Sequence, residues 1–283
     1  YNAATVEGGY NVGGLVGSAS GTTIRNAANE SRVLATGYIA EDYIYHTAYD
    51  KNGFRNVDPT KPLHKASVRM ANAGGIVGNI SDDGLLLDVT NSGDIEAKEI
   101  AGADKSAISE SPSDFTHYGA GNVGGIAGRA QDTNITNATN SESNIRGAMN
   151  VGGIAGYFGS KSAGDKTYRI SKATNAGGDI TATGGLHATD DAFTKEITHP
   201  DAKNENGEIY ITGNIGGIVG YLDGSAVRIA ASDNRGTVHS ATIKDMNNIL
   251  ITAKAANVGG IVGKIDRETT LSVDERLKRI KQD

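Results

Sequence analysis

Asn11-Val-Gly-Gly-Leu-Val-Gly17 is a heptad that returns five more times along the chain. The copies are Asn72–Gly78 (NAGGIVG), Asn122–Gly128 (NVGGIAG), Asn150–Gly156 (NVGGIAG), Asn214–Gly220 (NIGGIVG) and Asn257–Gly263 (NVGGIVG). Position one is always asparagine: Asn11, Asn72, Asn122, Asn150, Asn214 and Asn257. Position three is Gly13, Gly74, Gly124, Gly152, Gly216 and Gly259; position four is Gly14, Gly75, Gly125, Gly153, Gly217 and Gly260. Position seven is Gly17, Gly78, Gly128, Gly156, Gly220 and Gly263. A pattern held that tightly inside one chain implies that every copy meets the same neighbours, as in stacked repeats.

The two closest copies begin at Asn122 and Asn150, so the shortest unit is 28 residues. A second element follows each heptad. It reads Ile170-Ser-Lys-Ala-Thr-Asn175-Ala-Gly-Gly-Asp-Ile180, with relatives at Leu87…Asn91-Ser-Gly93-Asp-Ile95 and Ile229…Asn234-Arg-Gly236-Thr-Val238. Looser versions occur at Ile24…Asn29…Val33 and Ile135…Asn140…Ile145, and the sixth copy stops at Leu271–Val273, before its Asn and Gly. Each unit thus holds three short apolar stretches separated by Asn and Gly, which accept left-handed backbone angles. Short strands with regular turn signals indicate β structure, and the glycine density disfavours helix. The expected fold is all-β: a parallel β-helix (β-solenoid) with three short strands per coil, spanning residues 1–273. A Gly-Gly bend inside the heptad would turn its apolar positions two, five and six inward. The aligned asparagines would form an amide ladder along the axis.

Composition fits a thin core. Glycine numbers 39, there is no Trp, and only 4 Phe are present among 283 residues. The net charge of −6 comes without any basic cluster interleaved with aromatics, which argues against a nucleic-acid partner. The absence of Cys excludes disulfides and a thiol nucleophile. No stretch reaches the roughly 18 apolar residues that span a bilayer, so no direct membrane insertion is expected. The chain begins at Tyr1 without Met or a signal peptide and reads as a segment of something longer.

The longer spacings arise from four inserts, all falling between the Gly-x-Ile stretch and the next heptad, so they are expected to leave one corner of the coil. The first carries Tyr38, Tyr43, Tyr45, Tyr49 and Phe54, the best candidate ligand-binding surface, because Tyr gives rigid contact area at low entropic cost. The second, around Ser106–Ser113, is polar. The third, with Lys195-Glu-Ile-Thr198 and Glu208-Ile-Tyr-Ile-Thr212, reads as a projecting hairpin. Residues 274–283 follow a capping box, Ser272-Val-Asp-Glu275, and are expected to form a short helix that caps the solenoid or leads to another domain.

Signs of chemistry are few. His46, His64, His117, His187, His199 and His239 match no metal-ligand spacing. The acidic stretches Asp50-Lys-Asn52-Gly53 with Asp58, Asp82-Asp83-Gly84, and Asp190-Asp191 read as turns, with calcium as the alternative. Asp88, Asp94, Glu96 and Asp179 are the carboxylates of the repeats that a polysaccharide-cleaving site would have to bring together. No catalytic residue, cofactor or metal is assigned.

The heptad N-[VAI]-G-G-[LI]-[VA]-G resembles the GLUG motif of bacterial surface proteins. That motif occurs in large secreted adhesins and in non-catalytic regions of immunoglobulin A–cleaving metallopeptidases. Asn91-Ser-Gly-Asp-Ile-Glu-Ala97 also resembles the repeats of filamentous-haemagglutinin-type exoproteins. The resemblance covers most of residues 11–273 outside the inserts. It implies an extracellular, cell-surface β-solenoid that is structural or adhesive and not an enzyme. Its implied partners are host or matrix proteins or glycans and other domains of the same long chain. The alternatives are a substrate-positioning region of an immunoglobulin A–type peptidase and a carbohydrate-active β-helix enzyme.

Overall fold

The computed structural model describes residues 1–36, 38–49, 55–69, 71–97, 120–147, 149–161, 166–182, 187–188, 209–210, 213–224, 226–240, 242–244, 250–252 and 257–266. Among these residues all regular structure is strand, and no helix is present. The helix expected over 274–283 lies outside the described residues.

The strands stack coil upon coil into four parallel sheets. Sheet 1 holds the opening of every heptad: Asn11–Gly13, Ala71–Gly74, Ala120–Gly124, Asn150–Gly152, Asn214–Gly216 and Asn257–Gly259. Sheet 2 starts at position six: Val16–Ser20, Val77–Ser81, Ala127–Gln131, Ala155–Gly159, Val219–Asp223 and Val262–Asp266. Sheet 3 carries the stretch up to the second Asn: Thr23–Asn29, Gly84–Asn91, Thr133–Asn140, Tyr168–Ser171 with Thr174–Asn175, and Val227–Ala230 with Asp233–Asn234. Sheet 4 holds Val6–Gly8, Val33–Ala35, Ile95–Ala97, Ile145–Gly147, Asp179–Ala182 and Thr237–Ser240. Like residues lie over like: Asn122 opposes both Asn72 and Asn150, and Ile145 opposes both Ile95 and Ile180.

The three apolar stretches expected per coil are present, but the heptad stretch folds into two strands, which makes four. The reason is the corner at positions four and five. The corner residues keep the coil-to-coil pairing while the chain turns: Gly14 N–H donates to Gly74 O (3.2 Å), and Leu15 and Val16 N–H both donate to Ile76 O (3.1 and 3.0 Å).

Bending there sends the heptad's apolar positions to two different cores. Position two (Val12, Ala73, Val123, Val151, Ile215) packs with Val33, Ile95, Ile145 and Ile180 of sheet 4. Positions five and six (for example Ile126 and Ala127) pack with Leu86, Val89, Ile135 and Ile170 of sheet 3. Both clusters are buried and mainly aliphatic; the one against sheet 3 also holds Phe158, fully buried, and Tyr168. Burying an Ile or Val contributes about 1.5–3 kcal/mol, and the supply repeats with every coil.

Two amide ladders run the length of the stack. In the first, each heptad Asn donates Nδ2–H to the Oδ1 of the Asn one coil earlier. The links are Asn72 to Asn11, Asn122 to Asn72, Asn150 to Asn122, Asn214 to Asn150, and Asn257 to Asn214, at 2.7–2.8 Å. In the second, the donation runs the other way: Asn2 to Asn29, Asn29 to Asn91, Asn91 to Asn140, Asn140 to Asn175, and Asn175 to Asn234, at 2.8–2.9 Å. Asn91, Asn140 and Asn175 have no solvent exposure, so their polar atoms depend on these partners. The second N–H of Asn91 goes to Gly93 O at 2.8 Å, which ties the ladder to the turn leading into sheet 4.

Glycine is required in the heptad for three separate reasons. A Cβ at position three would sit 2.0 Å from the coil's own position-six carbonyl, as Gly152 does to Ala155 O. At position four it would strike the next coil's corner and the second-ladder Asn; for Gly153 these are Gly217 O at 2.1 Å and Asn175 Cβ at 2.8 Å. At position seven it would strike the preceding coil, as Gly156 does Val123 N at 2.4 Å.

Candidate functional site

Sheet 4 strands end, and sheet 1 strands begin, on the two sides of one corner, and the four long insertions fall in that gap; the fourth coil is in addition longer between sheets 2 and 3, from Gly159 to Tyr168. Three of the inserts contain antiparallel strand pairs within the otherwise parallel stack. The first is a long ribbon, Tyr38–Tyr49 against Arg55–Arg69, with Tyr43 opposite His64 and Tyr45 opposite Pro62. Tyr38 and Tyr49 lie opposite Arg69 and Arg55 on the same ribbon. The sequence-predicted tyrosines are therefore gathered on one strand of a β-ribbon, whereas Phe54 lies outside the described residues. The third insert pairs His187–Ala188 with Ile209–Tyr210, and the fourth pairs Thr242–Lys244 with Leu250–Thr252. The expected hairpin in the third insert is thus present at Ile209–Tyr210, but its partner strand is His187–Ala188; Lys195–Thr198 lies outside the described residues. So does Ser106–Ser113 of the second insert.

A different exposed feature escaped the sequence reading. The residue after each heptad points outward from sheet 2, which aligns Ser18, Asn79, Arg129, Tyr157, Tyr221 and Lys264 in one column. The Arg129 guanidinium lies 5.0 Å from the Tyr157 ring centroid, and Lys264 Nζ lies 5.1 Å from that of Tyr221. The two rings meet edge-on at 5.6 Å. Tyr157 Oη donates to Asp223 Oδ2 at 2.7 Å, and burial together with that bond pushes the phenol pKa well above its ordinary value. Arg129 also bonds Gln131 Oε1 and Asn79 Oδ1. These groups satisfy one another, so the column reads as a cross-strand ladder that braces the sheet 2 flank, at about 0.5–1 kcal/mol per cation–π or aromatic contact. The signal for it was the outward parity of the position following each heptad's last glycine.

The acidic turn is what turn chemistry demands. Asp82 and Asp83 have φ of 57° and 63°, a conformation that Asp tolerates well. Hydroxyls of Ser20 and Ser81 hold the Asp82 carboxyl below the usual carboxylate range. Lys166 Nζ and Tyr168 Oη, each 2.7 Å away, do the same for Asp83. Asp132 accepts from Ser160 Oγ (2.6 Å) and Lys161 N–H (3.1 Å). Among the described residues no group of three or more His, Asp or Glu side chains is placed to hold a metal ion.

The carboxylates a glycan-cleaving site would need are divided between sheets. Asp88 lies in sheet 3 and accepts from Asn137 Nδ2 at 2.5 Å. Glu96 lies in sheet 4 and pairs with Arg32, Asp94 Oδ1 accepts from Asn144 N–H at 2.8 Å, and Asp179 N–H donates to Asn144 Oδ1 at 3.2 Å. His239, in sheet 4, stands 3.3 Å from Thr181 Oγ1. His117, His199, Asp50, Asn52, Gly53, Asp190 and Asp191 lie outside the described residues.

A family model of the GLUG motif matches residues 119–146. The chain carries a GLUG motif. The matched segment is almost one complete GLUG coil, running from Ala120–Gly124 of sheet 1 to Ile145–Gly147 of sheet 4. No curated protein and no solved structure gives a match. The parallel stacking of the six heptads in register repeats the same coil well beyond the matched segment.

Proposed function

We propose that this GLUG solenoid is an extracellular structural and adhesive segment of a bacterial surface protein, binding host or matrix proteins or glycans through its inserts. The observation that carries this reading is the shared exit corner. The coils stack in register throughout, while the four long insertions all leave between sheets 4 and 1. A rigid, regular scaffold with variable ribbons along one line is the arrangement by which repeat proteins present binding surfaces. The Tyr38–Tyr49 ribbon is the first candidate for contact, with the tyrosines as anchors. The scaffold itself performs no chemistry in this reading.

The test is a pair of substitutions, Tyr43→Ala with Tyr45→Ala, measured by thermal melting and by binding to arrays of glycans and matrix proteins. The parent binds at least one array component. Lost binding with unchanged melting supports recognition by the ribbon. A lowered melting temperature without any binding by the parent shows that the tyrosines pack, and the adhesive reading fails.

A further inference from the structure

The long ribbon of the first insert has two unlike edges, and we propose that its Tyr38–Tyr49 strand pairs edge to edge with the same strand of a second copy of this chain, antiparallel about a two-fold axis at Ile44. Among the described residues the ribbon is a two-stranded sheet, with Tyr38–Tyr49 (12 residues) paired along one side to Arg55–Arg69 (15 residues). Each strand therefore keeps one edge whose backbone N–H and C=O groups have no ladder partner in that sheet. A two-stranded ribbon alone is marginal in water, and a further strand on one edge stabilises it.

Sequence separates the two edges. Arg55–Arg69 carries Pro59 and Pro62, which lack a backbone N–H, together with Lys61 and Lys65. Its pairing is also broken: Tyr45 lies opposite Pro62 and Thr47 opposite Val57, so residues 58–61 stand against His46 alone. Proline, lysine and a bulge are the devices that keep an edge from adding another strand. Tyr38–Tyr49 has none of them. It reads Tyr-Ile-Ala-Glu-Asp-Tyr-Ile-Tyr-His-Thr-Ala-Tyr, without Pro, Gly, Lys or Arg, and is rich in the aromatic and β-branched residues that pleated strands favour.

The open strand is complementary to itself in one register. In an antiparallel pair related by a two-fold axis normal to the sheet, opposite residues share a face, so the axis passes through a residue. With the axis at Ile44, Asp42 falls opposite His46 of the second copy, Tyr43 opposite Tyr45, Ile39 opposite Tyr49, and Glu41 opposite the neutral Thr47. Each match occurs twice: an imidazole N–H meets a carboxylate, ring meets ring, and ring meets β-branched chain, the cross-strand pairs that stabilise sheets. Moving the axis to Tyr43 sets Asp42 against Ile44, Glu41 against Tyr45 and Ala40 against His46, and loses all of them. Such a contact closes on itself and stops at the dimer. It uses the edge of the strand and not its faces, so it stands apart from the adhesive reading of the ribbon.

Sedimentation velocity of the whole chain from low micromolar to near-millimolar concentration is expected to show monomer passing to dimer and nothing larger. Asp42→His and His46→Asp each set like groups opposite one another, and each is expected to weaken the dimer about tenfold. The double exchange, Asp42→His with His46→Asp, is expected to restore it, with all three melting as the parent does. The chain has no cysteine, so one introduced thiol reports its own symmetry mate. Ile44→Cys is expected to form a disulfide-linked dimer on mild oxidation, because residues on the axis face each other with roughly 4.5–5.5 Å between Cα atoms. Tyr43→Cys, whose mate is displaced two residues along the strand, and Ala66→Cys on the other strand are expected to remain monomeric. A parent that stays monomeric throughout overturns the proposal. So does a dimer that both single exchanges leave intact, or an Ala66→Cys chain that links as readily as Ile44→Cys. Array binding by a parent that stays monomeric separates the two readings: the ribbon then recognises a ligand and the pairing fails.

Discussion

The heptad corner and the bend in sheet 3 are both columns of stacked, equivalent residues, yet their sequences behave oppositely. At the corner, position four is glycine in every coil. In sheet 3 one residue per coil takes a left-handed backbone, with φ between 49° and 55°, and the residues there are Asn26, Asp88, Asn137, Lys172 and Ala231. The difference is what a side chain meets. At the corner a Cβ lands on a backbone carbonyl of the adjoining coil, which cannot move without unzipping the ladder. In sheet 3 it faces outward and incurs only the left-handed conformational penalty of about 1–2 kcal/mol, less for Asn and Asp. Repetition is strict where the neighbouring coil is the obstacle and relaxed where the cost stays within one residue.

That contrast can be broken at Gly153. Replacing it with Val is expected to cost more than about 4 kcal/mol or to abolish folding, because the added Cβ would lie 2.1 Å from Gly217 O and 2.8 Å from Asn175 Cβ. A variant melting with the parent's midpoint would refute the corner geometry. Next in size is Asn140→Ala, which removes a buried ladder member, leaving the Asn91 amide N–H and the Asn175 carbonyl oxygen without their partners. A loss of about 3 kcal/mol in urea unfolding is expected, and a loss below 1 would mean the amides find other partners. In the relaxed column, Ala231→Gly is expected to gain about 1 kcal/mol by relieving the left-handed strain; destabilisation would show that the methyl group packs.

The smallest effect concerns the turn between sheets 2 and 3. The folded Asp83 carboxyl titrates below its unfolded value, so its contribution is present above that value and is lost as pH falls through the folded pKa. Lys166→Ala is expected to move the Asp83 titration upward, towards the ordinary carboxylate range, in a side-chain NMR titration. An unmoved titration would show that Tyr168 alone sets it.

The heptad displays its fold openly. Identical residues at identical positions foretold stacking, and an invariant Asn foretold an amide ladder. The second ladder was hidden by looser spacing around Asn29 and Asn140. The division into two cores was illegible because Val12 and Leu15 are both simply apolar, and only the corner geometry separates their directions. The Arg129–Tyr157–Tyr221–Lys264 column was missed because its members share no residue type, only a position. The ribbon tyrosines were found by composition, but what they touch depends on contacts that neither spacing nor residue type encodes.

The two asparagine ladders have equal numbers of links and run in opposite directions. A single file of aligned amides would accumulate an axial dipole with each added rung, as a helix does. Here each coil adds one amide dipole of each sense, so the pair stays electrically balanced along the axis at any length. A solenoid built this way can gain or lose whole repeats without acquiring charged ends.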